Sequence, residues 1–302
     1  MTCGVALRYY LLDSAEPLAK LFRMKSAFQK DDALLAEMAS VADDDPRLHV
    51  WWLGQSGYLF QQAGARLLVD AYLSDSLTRK YADTDKPHVR VTERCIAPEH
   101  LTRIPLVLST HQHTDHFDEA TLDPMADANS NLQIVVPAGV LAQAQSRLPC
   151  PSVLWTALND GEVVNAHGWR VTGVAAAHNH IERDEAGRCK FLGFVIQRGG
   201  FSIYHSGDTL LHDGLVPALK PFACDLALVP INGNKPERRV AGNLNPHEAA
   251  NLARDIGARI AVPHHYDMFE FNTADPAEFV AECHRANQDH RVLRVGERLL
   301  LP

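Results

Sequence analysis

The sequence predicts an α/β fold of mixed β-sheets covered by helices, on three observations. Short β-rich runs joined by glycine turns follow Pro46, and later strands alternate with helical stretches. Across 302 residues, 46% apolar against 22% charged is the balance of a globular protein with a sizeable core. In chain order, Leu18, Leu21 and Phe22, then Leu34, Leu35 and Met38, recur at helical spacing. Asp13 or Ser14 is the expected cap of the first helix and Asp31 of the second. Asp43-Asp44-Asp45-Pro46 ends the pattern, because proline disfavours helix at the residue before it. Residues 1–46 thus read as an N-terminal helical extension packed on a main domain of residues 47–302, with a lid or a contact to a second copy as the sharper alternative. Strands are expected at Leu48 to Leu53, Tyr58 to Gln61, Arg66 to Asp70, Ile104 to Ser109 and Gln133 to Val136. Others fall at Trp169 to Ala175, Phe191 to Gln197, Phe201 to His205, Leu226 to Ile231 and Arg259 to Pro263. Helices fit Asp118 to Ala126, Val140 to Arg147, Pro246 to Ile256 and Pro276 to Arg285, with Asn245 and Glu248 forming a capping box.

Several classes are excluded at this level. A net charge of −8 disfavours wrapping nucleic acid or lying on an anionic membrane. No apolar run approaches the ~20 residues that span a bilayer. The start of the chain has no signal-peptide pattern, since only Tyr9, Tyr10, Leu11 and Leu12 separate Arg8 from Asp13. The six cysteines, Cys3, Cys95, Cys150, Cys189, Cys224 and Cys283, are scattered and read as reduced thiols in a cytoplasmic protein. Histidine, at 16, is the count that stands out.

The strongest chemical signal is Ser109-Thr110-His111-Gln112-His113-Thr114-Asp115-His116, four ligand-type side chains in six residues directly after an apolar strand. His111 and His113, two apart, project to the same side of an extended chain, unlike the i, i+4 pair of a helical zinc motif. One loop could thus offer two imidazoles to one ion and a carboxylate plus an imidazole to another. Three more strands deliver ligand types at their C-terminal ends: His178 after Val171 to Ala177, Asp208 after Phe201 to His205, and His264-His265 after Arg259 to Val262. Open α/β sheets carry their sites at such ends.

Together, the H-x-H-x-D-H run, His178, Gly207-Asp208 and the His265 segment resemble the metallo-β-lactamase superfamily. Trp51-Trp52-Leu53-Gly54, Tyr204-His205-Ser206-Gly207-Asp208 and His265-Tyr266-Asp267-Met268-Phe269 resemble its L-ascorbate-6-phosphate lactonase-like branch, as do Asn232-Gly233, Gly242-Asn243-Leu244 and Glu248-Ala249-Ala250. The resemblance runs from about Leu48 onward. It implies an αββα sandwich of two mixed sheets flanked by helices, with two divalent ions, zinc or manganese, at one edge. His111, His113 and His178 would hold one ion, Asp115, His116 and His265 the second, with Asp208 bridging. The lactonases proper lack a histidine where His178 stands, which moves the reading toward a general dinuclear hydrolase.

Two ions of this kind share a water, lower its pKa and aim the resulting hydroxide at an electrophilic carbonyl or phosphorus. Asp115 and Asp208 would orient it and take its proton, and Tyr266 is the candidate hydrogen-bond donor to the developing oxyanion. The expected function is hydrolysis of a small anionic molecule, a lactone or phosphorylated sugar lactone. A phosphodiesterase of the same fold is the alternative within enzymes, and a non-catalytic metal-binding protein the alternative outside them. The loop after Ile231 carries Asn232, Lys235, Arg238 and Arg239, a composition suited to gripping an anionic group. His180 either lines the pocket or adds a ligand, and His264 is expected to pack behind the site.

Overall fold

The structure is a computed structural model describing residues 24–302. The first expected helix, around Leu18 to Phe22, lies outside the described residues, as do its caps. The second is α1 (Asp31–Ser40), whose Leu34 and Met38 enter the main core. Glu37 accepts a hydrogen bond from the Trp51 indole at 2.8 Å, so this helix is fastened to the main body. Asp31 does not cap it: Lys30 is the N-cap residue without a side-chain bond, and Asp31 occupies the first turn. Asn245 does cap α6 (Pro246–Asp255), with Glu248 returning the bond in a complete capping box.

Two sheets form the body. The seven-stranded sheet runs β13-β1-β2-β3-β4-β5-β6, built from β1 (Leu48–Gly54), β2 (Gly57–Gln62), β3 (Ala65–Val69), β4 (Leu106–Leu108), β5 (Gln133–Pro137), β6 (Leu154–Leu158) and β13 (Arg298–Leu301). The six-stranded sheet runs β12-β11-β10-β9-β8-β7, from β7 (Val163–Ala166), β8 (Trp169–Ala175), β9 (Leu192–Arg198), β10 (Phe201–His205), β11 (Leu226–Pro230) and β12 (Ile260–His264). Both sheets mix parallel and antiparallel pairs. They share one core, in which Phe60 of β2 meets Trp169 of β8 with ring centres 6.4 Å apart. Strands β1 and β2 are buried along their whole length, because the sandwich covers one face and helices or loops the other. The helices α3 (Glu119–Ala128), α4 (Leu141–Arg147), α6 and α7 (Pro276–Ala286) fall where helical periodicity places them.

Strands β6, β7 and β13 and the short helices α2 (Ser76–Lys80) and α5 (Leu215–Leu219) were not expected from the sequence. Their periods are too short to read, and β6 leaves Leu154 exposed at the sheet edge, so its apolar pattern is broken.

Topology explains where the site lies. Strands β3, β4, β5 and β6 are parallel, as are β10, β11 and β12, and β8 points with β10 because β9 runs antiparallel to both. Residues following β3 and β4 therefore collect at one end of the first sheet, and those following β8, β10, β11 and β12 at one end of the second.

Candidate metal centre

His111, His113, Asp115 and His116 occupy the loop between β4 and α3, and local bonds give that loop its shape. The Ser109 hydroxyl donates toward the carbonyls of His111 and His116, at 3.0 and 3.1 Å, closing the loop on itself. From outside, Arg147 at the end of α4 donates to the carbonyls of Gln112 and Phe117, pairs with Glu119 and lies over the Phe117 ring. The second sheet brings Asp208 close through Gly207, whose φ of +56° suits glycine; a Cβ there would stand 2.7 Å from Thr110 Cβ. His265 follows β12 with φ +62°, a left-handed conformation that turns its ring away from the strand direction.

The result is a convergence of three overlapping ligand groups: His111, His113 and His178; His111, His116 and Asp208; and Asp115, His116 and His265. Asp208 Oδ1 lies 2.7 Å from His265 Nε2 and 3.3 Å from His116 Nε2, and Oδ2 is 3.6 Å from His178 Nε2. Although buried, Asp208 Oδ1 makes no hydrogen bond among the described residues. A carboxylate oxygen bracketed by imidazole nitrogens, desolvated yet without a hydrogen bond, fits a metal ligand.

Hydrogen bonds behind the rings orient several ligand nitrogens. His178 Nδ1 is 2.9 Å from the Gly242 carbonyl, which only an N–H can serve, so its Nε2 is the bare nitrogen. Thr110 donates its hydroxyl proton to Asp70 Oδ2 at 2.6 Å, so it accepts from His111 Nδ1 at 3.1 Å and leaves His111 Nε2 bare. His116 Nδ1 meets Asp70 Oδ2 at 2.7 Å, the carboxylate–histidine arrangement that orients metal ligands. The Gln55 side-chain nitrogen reaches both Asp115 Oδ2 and His265 Nδ1, at 2.9 Å each. Burial pushes the pKa of His111 well down, and that of His178 down; His113 falls to about 4 through burial and the neighbouring His178. Neutral imidazole is the form that binds metal. Burial also opposes charge on His116, yet Asp208, Asp70 and Asp115 together hold it well above its ordinary value. A proton there serves the same negative charges that a cation would.

Among the other expected site residues, Arg239 alone lines the adjoining cavity of about 780 Å³, along with His113, Asp115, His178 and Asp208. Tyr266 is a correction. Its hydroxyl donates to the Leu293 carbonyl and its ring stacks on Trp52 at 4.4 Å, so it serves the core and offers nothing to an oxyanion. Arg238 is another: it bonds the carbonyls of Asn232 and Thr273 and Asn272 Oδ1, straightening its own loop. Asn232 is buried and donates to Asn272 Oδ1, while Lys235 and His180 are exposed and do not line the cavity. His264 packs behind the site, between the hydroxyls of Ser56 and Ser206 and stacked on His205.

Sequence reasoning missed Gln55, Asp70, Lys80, Lys86 and His88. Asp70 had a readable signal, since it ends an apolar strand just as Asp208 follows one. Gln55 sits in the tight turn between β1 and β2, with φ +50°, and nothing in its type announces a role. Lys80, Lys86 and His88 join the cavity wall through α2 and the segment after it.

A family model described as the Beta-lactamase superfamily domain matches residues 65–266. The chain is similar to a UPF0173 metal-dependent hydrolase of Rubrobacter xylanophilus, 29% identical over 261 residues covering 83% of this chain and 95% of that protein. It is 29% identical over 233 residues to the mitochondrial N-acyl-phosphatidylethanolamine-hydrolyzing phospholipase D of Saccharomyces cerevisiae, covering 72% of this chain and 47% of that one. In fold it is similar to Igni18, a metallo hydrolase of the archaeon Ignicoccus hospitalis, with a TM-score of 0.62 and 21% identity over 85% of this chain and 99% of that one. Among the described residues no helix is long and apolar enough to cross a membrane. With its two mixed sheets, its histidine–aspartate edge and a family model spanning most of the main body, the chain belongs to the metallo-β-lactamase superfamily.

Proposed function

We propose that this protein is a metal-dependent hydrolase that uses two divalent ions, zinc or manganese, on a small anionic ester, in first place a lactone or phosphorylated sugar lactone. The observation that carries the reading is the convergence of six ligand-type side chains on Asp208, whose buried Oδ1 makes no hydrogen bond among the described residues, beside an open cavity. His111, His113 and His178 would hold one ion and Asp115, His116 and His265 the other, with Asp208 between them. When bound, such ions supply Lewis acidity and a water acidic enough to attack near neutral pH. The chain's own residues do the rest. Asp115 faces the cavity and is held by Gln55; although burial opposes it, His116 and His265 keep its pKa low, so it is ionised and accepts the water's proton. Lys80, Lys86 and Arg239 form a cationic wall that favours an anionic group on the substrate, although Arg239 also pairs with Asp85. The similarity to the yeast phospholipase D favours a second reading, hydrolysis of a phosphodiester by the same residues.

The test is metal analysis of protein purified without chelator, followed by sugar lactones and phosphodiesters with Asp208→Asn as the control. Two ions per chain and turnover abolished in Asp208→Asn are expected. A single ion, unchanged after adding zinc or manganese, overturns the dinuclear site. Two ions without turnover of either ester class leave a binding protein instead.

A further inference from the structure

His205 ends β10 fully buried, and both of its ring nitrogens are committed to backbone atoms. Nδ1 accepts from Gly207 N–H at 3.1 Å, and Nε2 stands 2.8 Å from the Ser56 carbonyl, which only an N–H can serve. The first bond is local and shapes the turn that delivers Asp208. The second crosses from the six-stranded sheet to the turn between β1 and β2 of the seven-stranded sheet. Ser56 follows Gln55, whose side-chain nitrogen is 2.9 Å from Asp115 Oδ2 and 2.9 Å from His265 Nδ1. His265 Nε2 in turn lies 2.7 Å from Asp208 Oδ1. These contacts close a circuit that runs from Gly207 through His205, Ser56, Gln55 and His265 to Asp208, and back along the chain to Gly207. The His205 ring is itself held, stacked on His264 with centres 5.3 Å apart and met edge-on by Tyr58 at 5.7 Å. A phenyl ring would fill the same space, yet it would leave a buried N–H and a buried carbonyl without this partner. His264 ends instead on the side-chain hydroxyls of Ser56 and Ser206.

We infer that His205 is a positioning residue of the metal centre, keeping Asp208 of the second sheet in register with Asp115 and His265, which Gln55 holds from the first; this rests on the dinuclear reading above. Asp208 and the Gln55 turn belong to different sheets, so their separation depends on ties between the sheets. His205 is bonded to the backbone of the residue next to each of them. A rigid ring with a bond at each end transmits that spacing with little rotamer freedom. The role requires no proton transfer: the imidazole stays neutral, with its proton on Nε2.

The test is metal binding. His205→Asn puts an amide oxygen near the place of Nδ1 and keeps the Gly207 bond, whereas His205→Gln puts an amide nitrogen near the place of Nε2 and keeps the Ser56 bond. Each variant cuts one link of the circuit, so either one that folds tests it. His264→Ala is the control, since it loosens the same stacked pair. Each protein is stripped, loaded with manganese and titrated with a chromophoric chelator well below its melting temperature. Paramagnetic resonance of the loaded protein then reads the exchange coupling between two manganese ions, which follows their separation. The His205 variants are expected to lose about tenfold or more in affinity for at least one ion and to show an altered coupled spectrum, while His264→Ala keeps both. Wild-type affinity and spectrum in the folded His205 variants overturn the inference alone. An equal loss in His264→Ala also overturns it, because general loosening would then account for the effect. A wild-type protein that holds a single manganese ion overturns the dinuclear reading, and the inference falls with it.

Discussion

Replacing Asp70 by Asn changes one atom at a residue that touches no cavity and lies outside every ligand group, yet it should weaken metal binding. Asp70 is fully buried and makes three contacts: Oδ1 accepts from Thr110 N–H at 2.8 Å, and Oδ2 accepts from the Thr110 hydroxyl at 2.6 Å and meets His116 Nδ1 at 2.7 Å. In the Asn variant the bond from Thr110 N–H to the remaining carbonyl oxygen can persist. The new NH₂ group then faces His116 Nδ1 and the Thr110 hydroxyl. To accept from it, His116 must leave Nδ1 bare and carry its proton on Nε2, the atom aimed at Asp208 and Asp115. The ligand nitrogen is thereby blocked, as when a catalytic histidine is held in the wrong tautomer. Thr110 loses its acceptor too, and the orientation of His111 through the same hydroxyl weakens. Loss of such a supporting carboxylate typically costs 10–100-fold in metal affinity, about 1.4–2.7 kcal/mol. Competition against a chromophoric chelator, with zinc and then manganese, measures it directly. The weaker step should be the ion assigned to Asp115, His116 and His265. Unchanged affinity for both ions would show that His116 does not bind through Nε2, and would refute the assignment of that group.

Neighbouring side chains should give separable outcomes. His265→Ala should lose one ion and nearly all turnover. His264→Ala should keep both ions while losing about 1–3 kcal/mol of stability, because the Ser56 hydroxyl loses its buried partner, whereas Ser206 keeps its bond to the Gly207 carbonyl; metal analysis with denaturant melts separates the two, and the reverse pattern would put the register wrong by one residue. Arg239→Ala should raise KM for an anionic substrate and leave a neutral analogue nearly unaffected, whereas Arg238→Ala should loosen the loop held by Asn232, Asn272 and Thr273 and act on charged and neutral substrates alike.

Much of this architecture was legible in the residues. Apolar runs of strand length, ended by histidine or aspartate, marked β4, β8, β10 and β12 and the candidate ligands after them, because burial demands continuous apolar runs and ligands need a chain end that leaves the sheet. Adjacent residues on extended chain point oppositely, so only one of His264 and His265 was expected to be a ligand, and the resemblance chose His265. The distant parts were illegible for a physical reason. Tyr266 follows a ligand-type residue in sequence, but the left-handed turn at His265 and a further one at Asp267 direct its hydroxyl to Leu293 in the core. Arg238 and Arg239 look equivalent on paper, and only the left-handed φ of +52° at Arg239 separates their directions. Gln55 and Asp70 are defined by what the second sheet and the β4 loop bring beside them.

Local patterning thus determined the longer elements and the candidate ligand types, since both depend on periodicity and on the chemistry of neighbouring residues along the chain. Tertiary structure alone decided which groups orient those ligands and which cations reach the cavity. Those are questions of distance between segments far apart in sequence, and only the packing of the two sheets sets those distances.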